Sequence, residues 1–153
     1  GVYKLGAIRP AGGEWRPVIK AGEQVAKVSV PGILGVRRYQ SGPSFVGDMI
    51  YDELNPPKVQ QVVDPKDPIR RRTLSGHAHE LLEPVLRGGT LVKPLLTLAE
   101  ASLRREKQLG AVHEGIKRLL NPHEYPAGLE PALAQRRVDM VIEAREARTE
   151  ANA

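Results

Sequence analysis

The chain has 153 residues, 27% of them charged and 41% hydrophobic, with a formal net charge of +5. That length suits one domain of modest size, and the absence of cysteine excludes disulfides, thiolate catalysis and thiolate metal sites. No apolar run approaches a membrane span and no charged-then-apolar leader is visible, so a cytoplasmic protein without a membrane partner is expected.

The opening Gly1-Val2-Tyr3-Lys4-Leu5 reads as a strand already under way, and a further segment upstream is expected because termini are usually loose and polar. Ten of the thirteen prolines lie at or before Pro94, among many glycines. That density excludes long helices and favours short strands joined by turns. Strands are predicted at residues 2–8, 16–20, 26–30, 35–39, 48–51 and 81–87. Val25-Ala26-Lys27-Val28-Ser29-Val30 alternates polar and apolar, the period of a half-buried strand. Ala11-Gly12-Gly13, Pro31-Gly32 and Ser41-Gly42-Pro43 are turn signals, and the pattern suggests an antiparallel meander. Residues 55–75 read as a long polar loop around a short apolar piece at 59–63.

From Leu95 the chain reads as helix. Thr97 with Glu100 fits a capping box and Gly110 fits a stop. A second helix would place Val112, Ile116, Leu119 and Leu120 on one face, with Asn121-Pro122 ending it. Pro131 suits the first position of a third helix that buries Leu133, Met140, Val141 and Ala144 and frays after Arg148. The expected fold class is α+β: a small, mostly antiparallel sheet in residues 1–94, then three C-terminal helices in 95–153.

No catalytic constellation is visible. The chain has no P-loop, no dinucleotide-binding glycine pattern, no nucleophile elbow and no helical His-Glu-x-x-His. His77 and His79 would share one face of a strand, but their setting reads as an exposed loop, and no metal site is assigned to them. His113 is placed on the outer side of a helix, and His123 in a turn where it caps backbone. Asp52-Glu53 are adjacent carboxylates that would point apart in an extended segment, which is poor geometry for acid–base work. The basic cluster Arg70-Arg71-Arg72 with Lys66 suits phosphate or nucleic acid, or a solvated loop paired with Asp64 and Asp67. It lacks the interleaved aromatics of a single-strand binder, and no nucleic-acid partner is expected. Lys20 and Lys27 lie on successive predicted strands. Paired antiparallel, they would project to one face as an anion site, or stand as two exposed strand lysines.

Several strings in order resemble the nicotinate phosphoribosyltransferase family: Gly1-Val2-Tyr3-Lys4-Leu5, Arg16-Pro17-Val18-Ile19-Lys20, Lys27-Val28-Ser29-Val30-Pro31-Gly32, the stretch from Leu81 to Gly89, and Asn121-Pro122-His123-Glu124-Tyr125-Pro126 followed by Gly128-Leu129. This sequence departs from the pattern at Ile33-Leu34, where many members carry a basic residue. The resemblance implies a C-terminal portion of a larger enzyme with an irregular α/β barrel, typically a homodimer with active sites near the subunit interface. It implies that nicotinate and phosphoribosyl pyrophosphate give nicotinate mononucleotide and pyrophosphate, coupled to ATP hydrolysis with Mg2+ through a phosphorylated histidine. The family's glycine loop and that histidine match no residue of this chain, so no catalytic residue is assigned. The chain alone is expected to bind no cofactor and to be inactive. The positions matching hairpin lysines that reach phosphate at a neighbouring subunit's site in the related nicotinamide enzymes are Lys20 and Lys27. The alternative is a non-catalytic interaction domain derived from the family, pairing through an exposed sheet edge.

Overall fold

The computed structural model describes residues 4–22 and 27–151. Its centre is a hairpin of two long strands, β3 (Leu34–Ser41) and β4 (Ser44–Asp52). Gly42-Pro43 joins them, and Gly42 takes φ +57°, the sign that a tight hairpin turn requires. Gly47, Met49 and Tyr51 are buried at alternate positions of β4, so its period-two pattern presents one face to the core.

Two further strands come from the stretch 55–75 expected as loop, and a third follows it where His77 and His79 are expected in a loop. They are β5 (Gln61–Val63), β6 (Arg71–Thr73) and β7 (His77–Glu80). The strand furthest along the chain, β10 (Ala127–Leu129), enters between β4 and β5 and gives the order β6-β5-β10-β4-β3-β7. It runs parallel to β4 and antiparallel to β5. The expected mostly antiparallel meander is therefore corrected to a mixed sheet. A strand returning more than seventy residues after β4 need not follow hairpin direction. Gly47 makes room for the entry, since a Cβ there would lie 2.6 Å from the Pro126 carbonyl oxygen. The Asp48 N–H donates to that same oxygen at 2.8 Å, and the Glu130 N–H donates to Ile50 O at 2.8 Å.

Tyr39, Met49, Val62 and Leu74 form the buried cluster, with Val46 and Ala78 packed against it. Two small sheets lie apart: β1 (Ala7–Ile8) with β2 (Arg16–Pro17), and β8 (Leu86–Arg87) with β9 (Thr90–Leu91). The strands predicted at 2–8, 16–20 and 81–87 are thus much shorter than expected, and residues 1–3 of the first lie outside the described residues. The strand predicted at 26–30 does not form over 27–30, and Ala26 lies outside the described residues.

Two α-helices form among the described residues, not three. α1 (Leu98–Gly110) has the expected capping box: the Glu100 N–H donates to Thr97 Oγ1 and the Thr97 N–H donates to Glu100 Oε2. None of its residues is buried. α2 (Pro131–Glu150) starts at the expected proline, with Glu130 accepting from the Leu133 N–H at 2.8 Å. Leu133 is buried, and Met140, Val141 and Ala144 are half-buried, so the predicted face is the inward one. The helix predicted over 112–120 is instead a chain of turns. Gly115 is where the His123 ring approaches, and the His123 N–H donates to Gly115 O at 2.8 Å. A glycine spent on that close turn interrupts the helix, and Leu119 and Leu120 point into solvent. No helix of the described residues is long and apolar enough to cross a membrane.

Candidate functional site

Lys20 and Lys27 are both exposed. Their segments meet at Lys20 and Ser29. The Lys20 N–H donates to Ser29 Oγ at 2.8 Å, and the Ser29 N–H donates to Lys20 O at 3.2 Å. Lys20 therefore faces Ser29, two residues beyond Lys27. Residues 23–26 of the connection lie outside the described residues.

What fixes this segment is α2. The Arg137 guanidinium donates to the carbonyl oxygens of Ser29 at 3.2 Å and Val28 at 3.4 Å. Burial lowers its pKa from the usual arginine value, yet an arginine keeps its charge in proteins. Val28 and Ser29 are buried beneath it. A side chain that supplies donors to consecutive carbonyls clamps a stretch that has no complete strand ladder of its own.

The adjacent residue makes a second anchor. Asp52 is buried, with 3% of its side chain exposed. Its carboxylate accepts from Arg136 Nη1 at 2.6 Å and from Ile33 N, Leu54 N and Asn55 Nδ2, each at 3.2 Å. Four donors offset the cost of burying the charge. Gly32 sits against this carboxylate with φ +111°, and a Cβ there would meet Asp52 Cγ at 2.9 Å. The Pro31-Gly32 turn is thus held by one acidic residue at the end of β4, and the preceding Lys27–Val30 stretch by α2. Sequence pattern marks Asp52 only as half of an adjacent carboxylate pair, and it does not mark Arg136 or Arg137 at all. Their partners lie too far along the chain for any local pattern.

A third node joins the turns after α1 to the sheet. Arg38 grips Asp48 with two bonds of 2.8 and 2.7 Å, and the Tyr125 hydroxyl donates to Asp48 Oδ1 at 2.9 Å. Arg38 also lies 4.4 Å from the Phe45 ring centroid. Burial, then the bond to Asp48, pushes the Tyr125 hydroxyl well above the usual tyrosine range, so it remains a donor. The Asp48 bond raises the Arg38 pKa against the opposing effect of burial. Beside this node a groove of about 640 Å³ runs under α1, floored by Phe45, Leu109 and Ile116.

The remaining sequence candidates scatter. His77 and His79 are exposed on β7, opposite Gln40 and Arg38, rather than in a loop. His113 and His123 stack at 6.2 Å, and His113 Nδ1 accepts from the Gly115 N–H at 3.0 Å. Arg71 and Arg72 are on β6, and Arg70 pairs with Asp64 at 3.6 Å. Among the described residues no three His, Asp or Glu converge to hold a metal ion. The arrangement can present fixed positive charge to an anion, and no nucleophile–base pair appears in it.

The family model for the nicotinate phosphoribosyltransferase C-terminal domain matches residues 35–137, two thirds of the chain. Lys20 and Lys27 precede that stretch. The fold is similar to the crystal structure of human nicotinic acid phosphoribosyltransferase, with a TM-score of 0.61 and 23% identity. That match covers 78% of this chain and 24% of the human one, so the chain spans about a quarter of the solved protein's length. No curated protein sequence matches.

Proposed function

The chain belongs to the nicotinate phosphoribosyltransferase family, as its C-terminal domain, and from that premise we propose that it completes an enzyme forming nicotinate mononucleotide in NAD biosynthesis. In that reaction the nicotinate ring nitrogen bonds to C1 of phosphoribosyl pyrophosphate. The bond from C1 to the pyrophosphate oxygen breaks, and pyrophosphate leaves with the electron pair. The accompanying hydrolysis of ATP, with Mg2+, is proposed for the complete enzyme. The chain by itself is proposed to be inactive, and the complete enzyme to be a cytoplasmic homodimer.

The contribution of this chain is electrostatic. Lys20 and Lys27 stand on segments locked by Ser29, Arg137 and the Asp52–Arg136 pair, and both are exposed. That clamped, lysine-bearing segment is the observation that carries the reading. Held in place, each ammonium can meet a substrate phosphate as a point charge. In the complete enzyme, Lys20→Gln and Lys27→Gln are each expected to raise the KM for phosphoribosyl pyrophosphate about tenfold, the value of one charge-assisted bond of about 1.5 kcal/mol. A KM unchanged in both variants, with folding intact, removes the lysines from the site.

A second reading, a non-catalytic interaction domain, has one observation in its favour. Among the described residues, twelve large apolar side chains between residues 82 and 120 are exposed, and α1 buries none of its own. Large apolar side chains exposed in such number are a feature of surfaces that meet a partner. In the enzyme reading its partner is the barrel portion of the same enzyme, and in the alternative it is another protein. Activity in the complete polypeptide separates the two.

A further inference from the structure

Two segments far apart in sequence close on one cleft of about 260 Å³. One is the loop from Asp64 into β6, and the other is the run from Glu124 to Ala127 that leads into β10. The first carries a run of basic residues and the second the Asn-Pro-His-x-Tyr string, and no sequence pattern joins them. The lysine reading above uses neither.

The cleft is lined by three cations, Lys66, Arg70 and Arg72, and two carboxylates, Asp64 and Glu124, which leaves a local charge of 3 − 2 = +1. Lys66 Nζ bridges to Glu124 Oε1 at 2.8 Å, and Arg70 lies 3.6 Å from Asp64 and 3.9 Å from Glu124. Arg72, exposed on β6 in register with Val62, has no ion-pair partner among the described residues. The loop is held by its own bonds. Asp64 accepts from the Lys66 N–H at 2.8 Å, Asp67 accepts from the Ile69 N–H at 3.1 Å, and the Asp64 N–H donates to Arg70 O at 3.0 Å. A basic cluster on a braced loop presents its charges at lower entropic cost than one on a loose tail. Pro65, Pro126 and Val62 supply an apolar wall.

We propose that this cleft binds the phosphate of a small phosphate monoester, with Arg72 and Arg70 gripping its oxygens and Lys66 completing the site. Glu124 is then a resident anion that the ligand displaces. The Lys66–Glu124 pair is open to solvent, and exposed pairs of this kind hold weakly. Guanidinium groups are suited to phosphate because their forked donors match two oxygens at once. The cleft is small and open on one side, so it needs to enclose only the phosphate and the first atoms of the ester.

The test is an amide NMR titration of the full chain with inorganic phosphate and, separately, with glycerol phosphate, at ionic strength held constant with chloride. Saturable shifts confined to residues 62–72 and 124–127 are expected. Arg72→Gln weakens them at least tenfold, Glu124→Gln strengthens them, and Lys20→Gln with Lys27→Gln leaves them unchanged. Tighter binding of the ester than of phosphate assigns the apolar wall to the organic body, and equal binding makes free phosphate the occupant. Arg72 is exposed, so its variant should keep the remaining spectrum. No saturable shift, a response equally produced by chloride, or an Arg72→Gln titration identical to the parent overturns the proposal. So does tighter, salt-sensitive binding of an oligonucleotide at the same residues, which assigns the cluster to nucleic acid.

Discussion

Asp52 shows how much one side chain can organise. It ends β4, fixes the turn behind Gly32 and receives a guanidinium from 84 positions further along. Arg136→Met removes the charged donor and leaves a buried carboxylate with three neutral ones. A loss of about 2 kcal/mol is expected, the scale of one hydrogen bond to a charged group. Urea unfolding should show a lower midpoint with an unchanged slope, and an unchanged midpoint would remove Arg136 from the anchor. At this scale the sequence was legible in kind and blind in arrangement. Lys20 and Lys27 could be picked out as basic residues on neighbouring segments. Ser29, a small hydroxyl two residues beyond Lys27, takes both backbone bonds of Lys20, a pairing that no local pattern announces. Nothing local distinguishes Asp52 from its neighbour Glu53 until burial does.

Among the elements, the helix termini were the clearest signals, because capping is local chemistry. Thr97 with Glu100 and Pro131 mark the starts of α1 and α2. The apolar spacing of Val112, Ile116, Leu119 and Leu120 fits a helix equally well, yet that stretch folds as turns around Gly115 and His123. Periodicity describes which face a helix would bury, and here only Val112 and Ile116 are half-buried while Leu119 and Leu120 stand in solvent. β10 was the least legible element. Three residues with a glycine at the centre carry no strand pattern, and only the groove between β4 and β5 makes them one. The same closeness makes a test. Gly47→Ala places a methyl group 2.6 Å from the Pro126 carbonyl oxygen. It should cost about 1–3 kcal/mol as overpacking and should loosen β10 before β3. Hydrogen exchange resolves the order: faster exchange at 127–130 with β3 still protected is expected, and uniform loosening would contradict the assigned close contact.

The molecule as a whole combines a small buried cluster with a broad apolar exterior. Tyr39, Met49, Val62 and Leu74 hold the sheet, while residues 82–120 extend apolar side chains into solvent. The α+β class was legible from the division between a proline- and glycine-rich half and a helical remainder. The mixed sheet order was not, because one late strand sets it. The chain spans about a quarter of the length of the solved phosphoribosyltransferase that it resembles in fold. The most direct test uses the complete polypeptide that contains this chain, the same polypeptide lacking it, and the chain alone. Nicotinate mononucleotide formation from nicotinate, phosphoribosyl pyrophosphate and ATP is measured for each and for the two pieces mixed. Activity in the complete protein, none in either piece and recovery on mixing is the expected result. Undiminished activity without this chain, or no activity in the complete protein, would contradict its role as part of the enzyme.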